Sequence, residues 1–112
     1  MAGLEVRTFD AADEALADLV KAHARRVDVG RQSVWEFTFE PGWRYTEDFE
    51  PDLCTARHAG YVASGRLRIA MDDGTEAEAG PGSVVVIEPG HDAWTVGDEA
   101  CVFIDFAENS AR

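Results

Sequence analysis

Hydrophobic and polar residues alternate with a period of two along most of the chain after residue 27. Between residues 34 and 39, the aromatic side chains share one parity: Trp35, Phe37 and Phe39. Such alternation is typical of β-strands. Further short apolar or alternating segments, separated by turns rich in glycine and proline, predict strands at residues 56–63, 65–71, 83–87, 93–96 and 101–106. About eight strands at this spacing favour an all-β, antiparallel sandwich or barrel over residues 32–106.

A helical period precedes these strands. Leu16, Leu19, Val20, His23 and Val27 recur at spacings of three or four residues, which is typical of one apolar face of a helix. Acidic residues begin this segment and basic residues end it, as the helix dipole favours. The pattern predicts one N-terminal α-helix over about residues 11–26, packed on the outside of the barrel, with His23 partly buried in the core or an interface. Residues 83–87 form an unbroken β-branched run, which predicts a strand covered on both faces.

The turn after residue 71 predicts a definite hairpin register. A two-residue loop at residues 73–74 would mix apolar and acidic side chains on both faces of the hairpin. A three-residue loop at residues 72–74 keeps one face apolar and places Arg68 opposite Glu78. That loop needs a left-handed backbone at its third position, which Gly74 supplies.

Composition indicates a single soluble domain. The chain has 112 residues, of which 46% are hydrophobic, and its 22 acidic and 10 basic residues give a net charge of −12. This excess of acid argues against nucleic acid or an anionic membrane as a partner. The sequence contains neither an apolar run of membrane-spanning length, about 18 residues, nor a secretory signal pattern, so we expect a cytoplasmic protein.

Three potential metal ligands stand out from the remaining sequence. Cys54 and His58 lie four residues apart in the segment 52–65, so strand alternation places them on the same face. His91 follows the turn that ends the segment 83–90. A structural disulfide is not expected in the cytoplasm, and Cys101 lies in an apolar run typical of a buried side chain.

Two segments resemble the two motifs of the cupin superfamily: residues 60–67, GYVASGRL, and residues 80–90, GPGSVVVIEPG. The resemblance covers about residues 34–106. It implies an antiparallel double-stranded β-helix, that is, a jelly-roll barrel, which is often a homodimer and holds one metal ion in the barrel mouth.

The ligand positions of this chain differ from the common cupin pattern. That pattern has two histidines and a glutamate before the tyrosine–valine pair, where this chain has Asp52, Cys54 and His58. The usual histidine of the second motif corresponds to Ala93, and the nearby histidine is His91. The resemblance therefore implies a subgroup whose metal ligands are Cys54, His58 and His91.

One thiolate and two imidazoles suit Zn²⁺ best, and they can also hold iron, nickel or copper. Three protein ligands leave one position for water or substrate. Asp52, Asp92 and Glu36 are candidates for a fourth ligand, which would close the site. Trp94 is expected to touch a ligand in the pocket, and other aromatic residues can line the pocket, the core or an interface.

Two functions follow from this interpretation. The first is a metal-dependent enzyme that acts on a small organic molecule, of the oxygenase, isomerase or lyase type. The second is a non-catalytic module that binds a small ligand or a metal ion and reports it to a partner. Fold alone does not distinguish them, because one scaffold hosts many functions.

Overall fold

The computed structural model describes residues 3–108. The described chain contains nine strands, a 3₁₀ turn at Phe9–Ala11 and one short helix, α1. The elements after the 3₁₀ turn are β1 (Glu14–Leu16), β2 (Ala22–Val29), β3 (Gln32–Phe39), α1 (Tyr45–Asp48), β4 (His58–Ser64), β5 (Leu67–Met71), β6 (Glu76–Ala79), β7 (Val84–Ile87), β8 (His91–Thr95) and β9 (Cys101–Glu108).

The strands form two antiparallel sheets that enclose one core. The larger sheet has six strands in the order β1-β2-β3-β9-β4-β7, and the smaller has the order β6-β5-β8. Buried residues of both sheets meet in one cluster, for example Val62 and Phe103 from the larger sheet and Leu67 and Ile69 from the smaller. This arrangement confirms the predicted all-β barrel. Within residues 3–108, no helix has the length and apolar character needed to cross a membrane.

The predicted helix at residues 11–26 is wrong, because this segment contains β1 and most of β2. Strand β2 pairs with β3 along its whole length, from Ala22 opposite Phe39 to Val29 opposite Gln32. The backbone hydrogen bonds offered by β3 outweigh the modest helical preference of the segment. His23 alternates with two buried alanines and is exposed, so its predicted burial is also wrong.

The hairpin of β5 and β6 has the predicted register. Arg68 lies opposite Glu78, and the Met71 amide donates to the Thr75 carbonyl across the loop at 2.8 Å. Gly74 has the required positive φ, 92°.

Strand β7 is an edge strand rather than the covered strand that its apolar run predicted. Val84 is 83% exposed and Val86 58% exposed, because these two side chains point away from the core and β7 has a neighbour on one side only. An unbroken β-branched run therefore does not require cover on both faces.

Close approach of two backbones explains the glycine near the start of β4. Gly60 lies opposite Asp105 of β9, and a Cβ atom on Gly60 would stand only 1.8 Å from the Ile104 carbonyl oxygen. A side chain at this position would push β4 away from β9. Gly60 thus allows His58, two residues earlier, to reach the same inner face as Asp105.

A buried carboxylate holds α1 against β8. Asp92 accepts hydrogen bonds from Arg44 Nε at 2.8 Å, from the Thr46 amide at 3.1 Å and from Thr46 Oγ1 at 2.9 Å. Burial on its own would raise the pKa of Asp92, but Arg44 and Thr46 lower it below its ordinary value. The contact positions α1, which carries Tyr45.

We predict that Asp92→Asn destabilises the fold by about 2–3 kcal/mol at neutral pH, because Arg44 loses its buried partner charge. Since the folded-state pKa of Asp92 is lowered, its contribution is present above about pH 4 and is lost as the pH falls through the folded value. Urea unfolding across this pH range should therefore show the difference from the wild type shrinking in acid.

Glu47→Gln is the matched control, because Glu47 is a second carboxylate near Arg44, at 3.9 Å, but is 73% exposed. It should change the free energy of unfolding little. Equal effects of the two substitutions would contradict the role of Asp92.

Candidate metal centre

Backbone pairing brings Cys54 to the start of β8. The Cys54 amide donates to the His91 carbonyl at 2.8 Å, and the Gly90 amide donates to the Cys54 carbonyl at 2.7 Å. His91 begins β8 and His58 begins β4, so both imidazoles project from strand ends. Two strand ends and one paired loop residue thus converge on the same place inside the barrel.

The side chains of these three residues form one compact group. Their potential ligand atoms all lie within 4.8 Å of one another. The Cys54 Sγ atom is 3.7 Å from His58 Nε2, and the two imidazole centroids are 5.3 Å apart. Cys54 and His91 are buried, and His58 is half-buried. Burial of three such polar groups together is costly unless they bind one another or a ligand.

Each imidazole is oriented through its Nδ1 atom. His91 Nδ1 lies 2.7 Å from the Glu88 carbonyl oxygen, which can only accept a hydrogen bond. His58 Nδ1 lies 2.7 Å from Asp105 Oδ2. When both Nδ1 atoms carry the proton, both Nε2 atoms keep a free lone pair. The tautomers inferred from these contacts therefore leave the Nε2 atom of each imidazole free to bind a ligand, and that of His58 faces Cys54 Sγ at 3.7 Å.

The two histidines have opposite pKa shifts. Burial lowers the pKa of His58, but hydrogen bonds to Asp105 and Cys54 outweigh it and raise the pKa above its ordinary value. Burial is the main reason that the pKa of His91 is lowered, and the charge of His58 adds to the effect. His91 therefore loses its positive charge at a lower pH than His58 does.

A cavity of about 230 Å³ adjoins the three residues. Most of its lining is apolar or aromatic: Phe37, Phe39, Trp43, Tyr45, Phe49, Leu67, Ile87, Ala93 and Phe103. Burial, followed by the charge of Cys54 and a hydrogen bond to it, raises the pKa of Tyr45 to about 12. The phenol of Tyr45 therefore stays protonated at neutral pH beside the Cys54 sulfur.

The structure does not bring the three predicted fourth ligands to this group. The Asp92 carboxylate is held by Arg44 and Thr46. Glu36 accepts a hydrogen bond from Arg25 Nε at 2.9 Å, and it alternates with the inward-facing Phe37, so it lies on the outer face of the sheet. Asp52 is exposed and does not belong to the compact group in the described residues.

Trp94 also lies away from the cavity. It shares the strand parity of Asp92 rather than that of His91 and Ala93, and its ring stacks under the Arg44 guanidinium at 4.4 Å. Trp94 is therefore not among the residues that line this cavity, contrary to the prediction that it belongs to the pocket. Of the aromatic residues in β3, Phe37 and Phe39 line the cavity, and Trp35 stacks on Phe37 with ring centroids 5.5 Å apart.

Sequence reasoning missed Asp105. Asp105 is a single carboxylate within the apolar run CVFIDF, and it has the same parity as the buried Cys101 and Phe103. A charged residue at an inward position is rarely buried without a partner, and this signal could have marked it. Tyr45 is one of the aromatic residues that the sequence allowed in the pocket, the core or an interface, and it lines the cavity beside Cys54 because of the contact between α1 and β8.

No protein-family model and no curated protein matches this chain in sequence comparisons. Solved structures do match it in fold. The polyketide cyclase RemF from Streptomyces resistomycificus aligns with a TM-score of 0.69 at 20% identity, over 96% of this chain and 80% of RemF. The formate complex of Lactobacillus farciminis oxalate decarboxylase aligns with a TM-score of 0.66 at 16% identity, over 93% of this chain.

A variant of Bacillus subtilis oxalate decarboxylase gives a TM-score of 0.65 at 15% identity, also over 93% of this chain. The chain spans only 32% and 29% of the two oxalate decarboxylases. At these identities the comparisons establish the fold alone. The protein has the cupin fold, as the resemblance of its two segments to the cupin motifs implied.

We predict that His58 titrates above, and His91 below, the ordinary histidine pKa in metal-free protein. Asp105→Asn should lower the pKa of His58, because the imidazolium loses its partner charge. Since the folded-state pKa of His58 is raised, the contact stabilises the fold below that pKa and the contribution is lost as the pH rises through it. Heteronuclear NMR of both imidazole rings across the pH range measures these shifts.

Asp98→Asn, in the exposed turn before β9, is the control for the same chemical change and should leave the pKa of His58 unaltered. An unchanged pKa of His58 in Asp105→Asn would contradict the assigned contact.

Proposed function

We propose that Cys54, His58 and His91 bind one divalent metal ion, and that this centre acts on or holds a small organic molecule in the adjoining cavity. The observation that carries the proposal is the compact group itself. Three ligand atoms lie within 4.8 Å of one another, and each imidazole is oriented by an acceptor on its other nitrogen. Such outer contacts are typical of metal-ligating histidines.

The donor set and its spacing fit a metal ion. With Zn–S near 2.3 Å and Zn–N near 2.0–2.1 Å, a tetrahedral site separates sulfur from nitrogen by about 3.6 Å. Cys54 Sγ and His58 Nε2 are 3.7 Å apart. One thiolate with two imidazoles favours Zn²⁺, and iron, nickel or copper remain chemically compatible.

A metal ion with three protein ligands supplies an open position at which water or a substrate oxygen is polarised. The chain contributes the rest of the site. Asp105 orients His58 and keeps its Nε2 atom available. Tyr45, protonated at neutral pH, can donate a hydrogen bond to an oxygen atom near Cys54. The apolar walls exclude water and thereby strengthen these polar contacts.

Both an enzyme and a binding module are consistent with this centre. The twelve residues that line the cavity include no aspartate, glutamate, lysine or arginine, which limits proton transfer to Tyr45 and the ligand residues themselves. This composition is the observation that keeps the non-catalytic module as a second candidate. Conversion of a metabolite from a cell extract by metal-loaded protein would support the enzyme, and saturable binding without conversion would support the module.

An exposed apolar surface supports a homodimer. Tyr61, Val84, Val86 and Phe106 lie on the outer face of the adjacent strands β4, β7 and β9, and the rings of Tyr61 and Phe106 stack at 6.4 Å. Contiguous exposed apolar side chains mark protein contact surfaces. We assign a second copy of this chain to this surface.

The two cysteines in the described residues, Cys54 and Cys101, form no disulfide. Free thiols of this kind fit a protein of the reducing cytoplasm.

We predict that protein purified without an affinity tag carries close to one metal ion per chain, measured by plasma mass spectrometry. Cys54→Ala and His58→Ala should each lose most of the metal, because each removes one of three ligands. Asp105→Asn should weaken the affinity by about 10- to 100-fold, because it removes the contact that orients His58.

Cys101→Ala and His23→Ala are matched controls, since they remove the same functional groups outside the centre, and both should retain the metal. A wild type that contains no metal and takes up neither Zn²⁺, Fe²⁺ nor Ni²⁺ would overturn the proposal.

We predict that the wild type is a dimer by light scattering and that Val84→Asp is a monomer, because a carboxylate would have to be buried in the contact surface. Val20→Asp is the control, since Val20 is also exposed, at 53%. Val20 lies in the turn before β2, and β2 and β7 lie near opposite edges of the six-stranded sheet. A monomeric wild type, or a dimeric Val84→Asp, would contradict the assignment.

A further inference from the structure

Aromatic rings form most of the wall of the cavity beside the proposed centre. The rings of Phe39 and Trp43 stack with centroids 3.9 Å apart, and those of Phe37 and Phe39 stack at 5.5 Å. Phe49 meets Trp43 edge-on at 5.2 Å and Tyr45 edge-on at 5.7 Å. These contacts fix the ring faces and edges, so the wall is a rigid surface with a defined pattern of partial charge.

The ionisable groups of the cavity are gathered at one end. Among its lining residues they are Cys54, His58, His91 and Tyr45. The first three lie within 4.8 Å of one another, and Tyr45 contacts Cys54. The rest of the lining carries no charge, and the carboxylate of Asp105, which lies behind His58, is bound to that imidazole.

This distribution restricts the charge of a ligand. One negative group can be neutralised at the polar end by the metal ion. A second negative group would lie against Phe37, Phe39 and Phe103, where the described lining offers no cation. The indole N–H of Trp43, which is buried without a hydrogen-bond partner in the described part of the chain, could supply one neutral hydrogen bond, but one such bond does not balance a full charge. An unpaired charge in such surroundings is strongly unfavourable.

The volume restricts the size of a ligand. At about 230 Å³, the cavity is smaller than the range of about 300–1,000 Å³ that is common for drug-sized molecules. A single ring with one substituent matches this space better than a fused or branched molecule does.

We propose that the cavity binds a planar, single-ring aromatic molecule that carries at most one negative charge, with its one oxygen-containing group directed towards Cys54, His58 and His91. This inference rests on the proposed function for the binding of that oxygen group, whereas the preference for an aromatic ring depends only on the walls. Dicarboxylates are excluded by the uncharged wall.

A matched set of carboxylates tests the proposal on zinc-loaded protein by titration calorimetry. Benzoate should bind about 2- to 10-fold more tightly than cyclohexanecarboxylate, because only the planar ring gains aromatic contacts. 4-Nitrobenzoate and terephthalate have nearly the same shape but differ by one charge. Terephthalate should bind on the order of 100-fold more weakly than 4-nitrobenzoate. Equal affinities within either pair would overturn the proposal.

Variants locate the effect in the cavity wall. Phe49→Leu keeps the site apolar but removes one ring, and it should reduce the preference for benzoate over cyclohexanecarboxylate while the zinc content stays unchanged. Phe9→Leu makes the same change outside the cavity, under the Arg25 guanidinium, and should preserve the preference. Loss of the preference in both variants would contradict the assignment to the wall.

A metal-free arm separates this inference from the proposed function. Toluene and methylcyclohexane carry no charge and need no metal, and NMR shifts of the Trp43 indole and Phe49 ring signals report their binding. Tighter binding of toluene than of methylcyclohexane, in protein that takes up neither Zn²⁺, Fe²⁺ nor Ni²⁺, would support the aromatic cavity and refute the metal proposal alone. A metal-loaded protein without preference for toluene or benzoate would refute this inference alone.

Discussion

The contact between His58 and the buried Asp105 carboxylate is the interaction on which the site depends. A carboxylate in the core is tolerated when a partner compensates for its lost hydration, and His58 Nδ1 at 2.7 Å is that partner. The contact also joins β4 to β9, whose backbones approach closely because Gly60 has no side chain. One pair of residues thus stabilises the centre of the larger sheet and determines which nitrogen of His58 faces Cys54.

Features that depend on local rules could be predicted from the sequence. The register of the β5–β6 hairpin follows from Gly74 and from the charges of Arg68 and Glu78, which lie only ten residues apart in the chain. The sequence predicted the convergence of Cys54, His58 and His91 from strand parity together with the cupin resemblance, but in the structure Cys54 lies in a loop paired with His91 rather than on one strand with His58. The structure brings the three side chains together, and their role as metal ligands stays a prediction that metal analysis decides.

Features that depend on distant pairing could not be predicted in this way. The apolar spacing from Leu16 to Val27 suits a helix, yet β3 offers a full row of hydrogen-bond partners to β2, and that pairing decides the structure. Asp92 and Trp94 follow His91 in sequence, but α1 draws Asp92 to Thr46, and Arg44 covers Trp94. Proximity to His91 in the sequence therefore does not bring a side chain to the site. The element that packs against the side chain determines where it lies.

The lining of the cavity, rather than the fold, bears on which small molecules this chain can hold. Oxalate carries two carboxylates on two carbons, so a site for it must compensate two negative charges. The cavity described here has one polar end and a wall of aromatic rings. The same barrel can present either kind of surface, because inward-facing side chains change without altering the strand pairing. Chemistry on this scaffold is therefore better inferred from charge and shape at the inner faces of β3, α1 and β9 than from the names of its structural neighbours.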